Sequence, residues 1–104
     1  MQSPPVVPVP PHLLRAIRAG EVEIFYGSGE WKRAARDART SQHDECQRCK
    51  AKGFYAPCEA VHHKRHLRAA PELALTPSNL ECLCAACHYA EHHPDGEPLM
   101  PERW

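Results

Sequence analysis

The 104-residue chain has few large side chains from which to build a core, since it contains two Phe, two Trp and three Tyr. It lacks any apolar run near the ~20 residues that a membrane-spanning helix needs, which excludes a transmembrane protein. It also lacks an internal repeat of ~20–50 residues, which excludes a solenoid. A small domain with a thin core commonly depends on a metal or on disulfides. The chain contains six Cys and eight His, which can serve as metal ligands or, in the case of the cysteines, form disulfides.

The N-terminus lacks the cationic segment, apolar core and small-residue cleavage site of a secretory signal. A lipidation motif is also absent. Cysteines in a chain without a secretory signal are more often metal ligands than disulfides. The sequence therefore predicts a cytoplasmic protein with no membrane partner.

The formal net charge is zero, but the charges are unevenly distributed along the chain. Residues 46–70 carry six basic side chains and one acidic one, whereas residues 71–104 carry one basic and six acidic. The basic stretch permits nucleic-acid binding, although a solvated basic face has the same composition. Global charge alone therefore does not identify a partner.

The first third of the chain is predicted to be helical after an extended start. Residues 1–11 contain five prolines and should be extended. A short helix is expected over residues 12–19, closed by Gly20. Ser28 is placed to cap a second helix over about residues 30–40. The inner stripe of this second helix would consist of Trp31, Ala34, Ala35 and Ala38.

The remainder is predicted to contain a hairpin, a long loop and a helix. The expected strands are residues 54–56 and 59–62, and the loop covers residues 64–78. Residues 80–93 should be helical in their later part, because Pro94 ends the helix. The last eleven residues form a Pro-rich tail. The predicted fold class is small α+β.

Four of the cysteines form two C-x2-C pairs, Cys46 with Cys49 and Cys84 with Cys87. Two intervening residues allow both thiolates of a pair to face one tetrahedral ion. The two pairs together predict a zinc site, and four thiolates leave no open coordination position, so the ion would be structural. Free buried thiols or a redox pair are the alternative, but the βαβ context of a thioredoxin-like motif is absent.

The other two cysteines, Cys58 and Cys82, are interpreted as small packing residues. A competing ligand set would use Cys82 in place of Cys84. That choice gives C-x4-C spacing, which is less compact than the C-x2-C pair.

A second group of ligand-type residues consists of histidines. His62 and His63 are adjacent in a predicted strand, so their side chains should point to opposite sides. His88 and His92 are four residues apart and share a helical face. If the strand packs against the helix, His62 and His88 can share an ion that water and a phosphate oxygen complete. The other histidines are interpreted as surface residues: His12, His43, His66 and His93.

The order and spacing of these cysteines and histidines along the chain resemble the pattern of the HNH nucleases, also named ββα-metal or His-Me finger nucleases. The segment from Phe25 to Trp31 is similar to the lead-in of phage-encoded members. The resemblance implies an HNH nuclease domain over residues 25–93, a ββα-metal finger with a helical extension. Residues 1–24 would be a Pro-rich extension with a short helix, and residues 94–104 a tail. The matching elements are Cys46-x2-Cys49, Val61-His62-His63, Ser78-Asn79-Leu80, Leu83-Cys84-x2-Cys87-His88 and His92.

The resemblance also implies a role for each matching residue. His63 would be the general base that activates water, and Asn79 would brace the loop and orient His63 through its amide. His62 and His88 would hold a catalytic divalent ion (Mg²⁺, Mn²⁺, Ni²⁺ or Zn²⁺), with His92 as a third ligand. The structural zinc ligands would be Cys46, Cys49, Cys84 and Cys87.

The implied function is metal-dependent hydrolysis of phosphodiester bonds in DNA with low sequence specificity. Phage or prophage origin and a link to DNA packaging, with terminase or portal proteins as partners, also follow from the resemblance. Two alternatives are a non-catalytic zinc-stabilised nucleic-acid-binding module and an adaptor that binds proteins through its Pro-rich ends. The candidate phosphate contacts are Lys32, Arg33, Arg36, Lys64, Arg65 and Arg68.

Overall fold

The computed structural model describes residues 6–92, except for the side chain of His92. This part of the chain forms five α-helices and a two-stranded antiparallel sheet, which confirms the α+β class. None of its helices is long and apolar enough to cross a membrane. The predicted tail and His93 lie outside the described residues. The elements are α1 (Pro11–Arg18), α2 (Val22–Tyr26), α3 (Gly29–Ser41), α4 (Gln47–Ala51), β1 (Ala60–His63), β2 (Leu80–Leu83) and α5 (Ala85–His92).

The two N-terminal helix signals are confirmed. Helix α1 ends just before Gly20, whose φ of +82° is a conformation that glycine adopts easily. The Ser28 side chain accepts a hydrogen bond of 3.2 Å from the Trp31 backbone N–H, so it caps α3 as expected. On the inner side of α3, Trp31 and Ala38 are buried, while Ala34 and Ala35 pack against the core.

The Pro-rich start packs against the body of the domain. Val9 is 8% exposed and belongs to the main core. The Val7 backbone N–H donates a hydrogen bond of 3.1 Å to Thr76 Oγ1. Residues 6–10 are thus attached to the loop between β1 and β2 by a hydrogen bond, and to the main core by the buried side chain of Val9.

The hairpin pairs different strands from those predicted. Strand β1 pairs with β2 across a long loop, with His62 opposite Glu81 and His63 opposite Leu80. Residues 54–56 were expected to be the first strand but form none. Phe54 and Tyr55 are 68% and 74% exposed, so the two large side chains of this segment do not supply the burial that stabilises a strand.

The two faces of the hairpin pack against different parts of the molecule. Successive side chains in a strand alternate between faces. One face contributes Val61, Leu80 and Cys82 to the main core, which also contains Phe25 of α2 and Trp31 of α3. The other face includes His62 and Leu83 and lies toward α5 and the cysteine pairs. This alternation decides where each predicted site residue lies.

Candidate active site and metal centre

The four cysteines of the C-x2-C pairs come together as predicted. Their sulfur atoms all lie within 4.8 Å of one another. Cys49 Sγ is 3.8 Å from both Cys84 Sγ and Cys87 Sγ. A tetrahedral zinc ion with Zn–S distances of ~2.3 Å holds its sulfurs ~3.8 Å apart. The donor set therefore fits a structural zinc ion.

Two short helices position these cysteines. Cys46 caps the N-terminus of α4, with the Cys49 N–H 3.5 Å from its Sγ, and Cys84 directly precedes α5. Burial opposes ionisation of Cys46, but backbone N–H groups of Cys49 and Cys84 lower its pKa to about 7. Burial raises the pKa of Cys87 to about 12. Because metal binding requires thiolates, an ion here would displace protons from such thiols.

The structure places Cys58 and Cys82 in the main core rather than with the other four. The competing ligand set with Cys82 in place of Cys84 is thus not the one that the fold assembles.

His62 and His88 lie close together on the face of the hairpin that packs against α5. Their ring centroids are 5.7 Å apart, and the Nε2 atoms of both rings are buried. His62 Nε2 is also 3.7 Å from Glu91 Oε1. The structure thus brings together one imidazole from a strand and one from a helix. His92 is the last residue of α5, and its side chain is not among the parts of the chain that the structure describes.

His63 lies on the opposite face, inside the main core. It is 4% exposed, and its ring stacks on Trp31 with centroids 4.9 Å apart and a 26° interplanar angle. Its Nε2 is 3.0 Å from the carbonyl oxygen of Ala74. Because a carbonyl oxygen can only accept, Nε2 carries the proton and Nδ1 is the basic atom. Burial lowers the pKa of His63, which favours the neutral imidazole.

The sequence and fold of this region match a known nuclease family. Residues 46–94 match the family model described as HNH endonuclease. The chain carries an HNH endonuclease domain. Its fold is also similar to that of the HNH endonuclease of the deep-sea thermophilic bacteriophage GVE2, solved with a manganese ion. The two share 25% identity at a TM-score of 0.71, over 84% of this chain and 95% of that chain. No curated protein matches the chain.

In the HNH domain, Asn79 joins the two ends of the loop that separates the strands. Its Oδ1 accepts a hydrogen bond of 2.8 Å from the Arg65 N–H. Its Nδ2 is 3.3 Å from the carbonyl oxygens of both Arg65 and Leu73. The Asn79 amide is thus bonded to loop backbone next to Ala74, and it is Ala74 that contacts His63. Any effect of Asn79 on His63 passes through this loop.

Sequence reasoning missed three side chains on the His62 face of the HNH domain. Glu91 is one of them, and Arg48 is another, with its Nη1 2.6 Å from Glu91 Oε2. The hydrogen bond from Arg48 lowers the pKa of Glu91 and keeps it a carboxylate. The third is His66, which is exposed and has its ring 6.2 Å from that of His62. Two features of the sequence could have indicated these residues. His66 follows His62 by four positions, and Glu91 follows His88 by three positions on the same helix.

The six basic residues predicted to contact phosphate are all exposed. Three lie on α3 and three on the loop that follows β1. Exposure leaves their charges accessible to a polyanion but does not by itself distinguish a binding surface from a solvated one. They are Lys32, Arg33, Arg36, Lys64, Arg65 and Arg68.

Proposed function

We propose that this chain is a metal-dependent endonuclease that hydrolyses phosphodiester bonds in DNA. The observation that carries the proposal is the convergence of His62 from β1 with His88 from α5 inside an HNH domain. Two imidazoles leave most coordination positions of a divalent ion open to water and to phosphate oxygens, which catalysis requires.

The donor set suits a divalent ion, since imidazole is a ligand for Ni²⁺ and Zn²⁺, and a phosphate group adds the oxygens that Mg²⁺ and Mn²⁺ prefer. His62 and His88 would hold the ion, with His92 as a third ligand. When bound, such an ion stabilises negative charge that develops on the phosphate and on the leaving oxygen. The identity of this ion is part of what the assay below determines.

His63 is the proposed general base. Its Nε2–H is held by Ala74, so Nδ1 would take the proton from the attacking water. The lowered pKa of His63 keeps its imidazole unprotonated at neutral pH, as a base must be. One observation favours a second candidate for this role: His66 is exposed on the same face as His62, whereas His63 is enclosed.

DNA would be held through its phosphates rather than read by base sequence. The exposed basic residues on α3 and after β1 offer charges for backbone contacts. Phosphate contacts position a duplex without conveying its sequence. We therefore propose low sequence specificity.

The likeness to a bacteriophage HNH endonuclease supports a phage or prophage origin, with the protein acting in the cytoplasm of the host cell. The proposed role is DNA processing or packaging, with terminase or portal proteins as partners. Co-purification of the chain with a terminase encoded beside it would test this role.

The activity is tested by nicking of supercoiled plasmid with Mg²⁺, Mn²⁺, Ni²⁺ or Zn²⁺ added to zinc-loaded protein. Removal of a general base lowers the rate of a reaction by a factor of ~10²–10⁴. The cleavage rate of His63→Ala should therefore be lower than that of the wild type by this factor. His12→Ala is the matched control, because His12 is an exposed histidine on α1. Melting curves of each variant check that His63→Ala retains its fold.

The same assay decides between the alternatives. If His66→Ala loses activity while folded His63→Ala keeps it, the base is His66. Cleavage by the wild type that does not exceed the background of His63→Ala and of buffer, with any of the four ions, would overturn the nuclease proposal. Salt-sensitive DNA binding in that event would identify a non-catalytic nucleic-acid-binding module.

A further inference from the structure

We propose that Phe54 and Tyr55 form a stacking surface for unpaired bases of DNA, next to the turn that carries the first cysteine pair. The inference rests on the proposed function, because it specifies the class of DNA substrate as DNA that contains unpaired bases. It also gives a role to two aromatic side chains that the candidate active site does not use.

Two of the few aromatic residues of the chain lie next to each other on its surface. Phe54 and Tyr55 are 68% and 74% exposed, although the chain contains only two Phe, two Trp and three Tyr. A buried aromatic side chain removes about 150–250 Å² from water, so either ring would stabilise a thin core. The other exposed large apolar side chains in the described part of the chain are aliphatic: Val6, Val7 and Ile24. An adjacent pair of exposed rings therefore indicates a contact with another molecule.

The backbone that carries the two rings is held at both ends by the turn of the first cysteine pair. Gly53 follows α4 with a φ of +85°, and the next N–H, that of Phe54, donates a hydrogen bond of 2.9 Å to the Cys49 carbonyl. After the rings, the Ala56 carbonyl accepts a hydrogen bond of 2.7 Å from the Cys46 N–H. The rings are thus presented on an ordered backbone, which reduces the entropy lost when they bind a ligand.

The charge around the rings favours a nucleic acid as the ligand. Residues 46–56 contain three basic side chains and no acidic one. Lys52 is exposed two positions before Phe54, and the exposed Lys50 lies 3.2 Å from Glu45. Proteins that bind single-stranded nucleic acids combine aromatic rings, on which bases stack, with cations that follow the phosphate backbone. The same combination is present at this turn.

The rings can stack only on bases that are accessible, which selects unpaired ones. A base inside an intact duplex is covered on both faces by its neighbours and must leave the stack to contact a protein ring. Stacking on aromatic rings tolerates any base sequence, because every base has a π face. The proposed surface therefore agrees with low sequence specificity and adds a preference for DNA structure.

The stacking surface also lies near the His62 face of the domain. Arg48 of α4 precedes Phe54 by six residues and contacts Glu91, which is 3.7 Å from His62. Six residues span at most ~20 Å, even when fully extended. One DNA molecule can therefore contact the rings and the candidate active site together.

The proposal is tested by fluorescence anisotropy with zinc-loaded protein and no added divalent ion. An intact duplex is compared with a duplex of the same length that has a single-stranded gap. Combining Phe54→Ala with Tyr55→Ala should weaken binding to the gapped DNA at least about fivefold, the lower bound for loss of one base–aromatic stack. Binding to the intact duplex should change by less than about twofold. Ile24→Ala, at an exposed apolar residue of α2, should bind both as the wild type does.

Phe54→Trp tests stacking directly. Oligothymidylate should quench the emission of the new indole, beyond the signal that the wild type gives from Trp31 and Trp104. Affinity for the gapped DNA should be retained, because an aromatic ring remains at the position. Ile24→Trp is the matched control and should show no added quenching.

Zinc content and melting temperature should be unchanged in these variants, because the replaced side chains are exposed. A folded double variant that binds gapped DNA within about twofold of wild type would overturn this inference, leave the proposed nuclease intact and make a protein the remaining candidate partner of the rings. An equal loss on the intact duplex would also overturn it, because the rings would then contact paired DNA. Wild-type protein that binds neither DNA would instead overturn the proposed function.

Discussion

His62 and His63 are adjacent in sequence, yet their side chains have different surroundings. Because a strand alternates its side chains, His62 faces α5 and His63 faces the aromatic residues of α2 and α3. The first can approach a metal, while the second is desolvated and held by a backbone carbonyl. One step along the strand thus separates the proposed ligand His62 from the proposed base His63.

This separation was predictable from strand alternation, but the surroundings of each residue were not. The spacing of His62 and His88 carried enough information to pair them across the hairpin and helix. The stacking of Trp31 on His63 depends on how α3 crosses the sheet. Glu91 and Arg48 meet only because the cysteine pairs bring α4 beside α5. Contacts of this long-range kind have no local sequence signal.

Asn79 provides a test at the scale of a single residue. It is 5% exposed, and its amide makes hydrogen bonds with the backbone of Arg65 and Leu73. Asn79→Ala should lower the free energy of unfolding by about 1–3 kcal/mol, because partly buried backbone groups of the loop lose their partners. Urea unfolding of zinc-loaded protein measures this change. Ser78→Ala, at an exposed neighbour, should change it by less than about 0.5 kcal/mol.

At the scale of elements, helix α3 and the hairpin show what local signals can specify. The cap at Ser28 and the apolar stripe of α3 both depend on residues within about two helical turns of one another, and both were predicted. The partner of β1 is distant in sequence, since the loop from residue 64 to 79 intervenes. Residues 54–56 had the composition of a strand, but their large side chains, Phe54 and Tyr55, remained exposed. Burial, which tertiary packing decides, distinguishes the two segments.

The Ser28 cap gives a prediction for helix α3. Its side chain satisfies the Trp31 N–H, so Ser28→Ala should lower the free energy of unfolding by about 1 kcal/mol. Urea unfolding followed by circular dichroism measures the loss. Ser41→Ala at the other end of α3 is the control, since Ser41 Oγ donates to a carbonyl and caps no N–H group. Equal losses in the two variants would contradict a specific role for the cap.

At the scale of the whole molecule, the cysteine cluster joins segments that are distant in sequence. The turn of Cys46 and Cys49 meets the start of α5 at Cys84 and Cys87. A metal ion there would restrain α5, and with it His88 and Glu91, relative to α4. For a domain with so few large apolar side chains, this link should supply much of the stability.

Cys46→Ser tests this link. We expect the variant to lose its tightly held zinc together with cooperative thermal unfolding, because one ligand of a four-thiolate site is gone. Zinc is counted by atomic absorption, and unfolding is followed by circular dichroism. Cys58→Ala is the matched control, since Cys58 packs in the main core and should retain one zinc per chain. A Cys46→Ser protein with unchanged zinc content and melting would disprove the assignment.

A chain of zero formal net charge needs a local basic surface to bind a polyanion. If the exposed basic residues contact phosphates, affinity for DNA must fall as salt rises, by a slope of ~0.9 in log–log form per phosphate neutralised. Arg36→Gln should reduce that slope by ~0.9, while Arg15→Gln on α1 should leave it unchanged. Fluorescence anisotropy of a labelled duplex with zinc-loaded protein, over a series of salt concentrations and without added divalent ion, measures both. A salt-independent affinity would show that the local basic surface does not bind the DNA backbone.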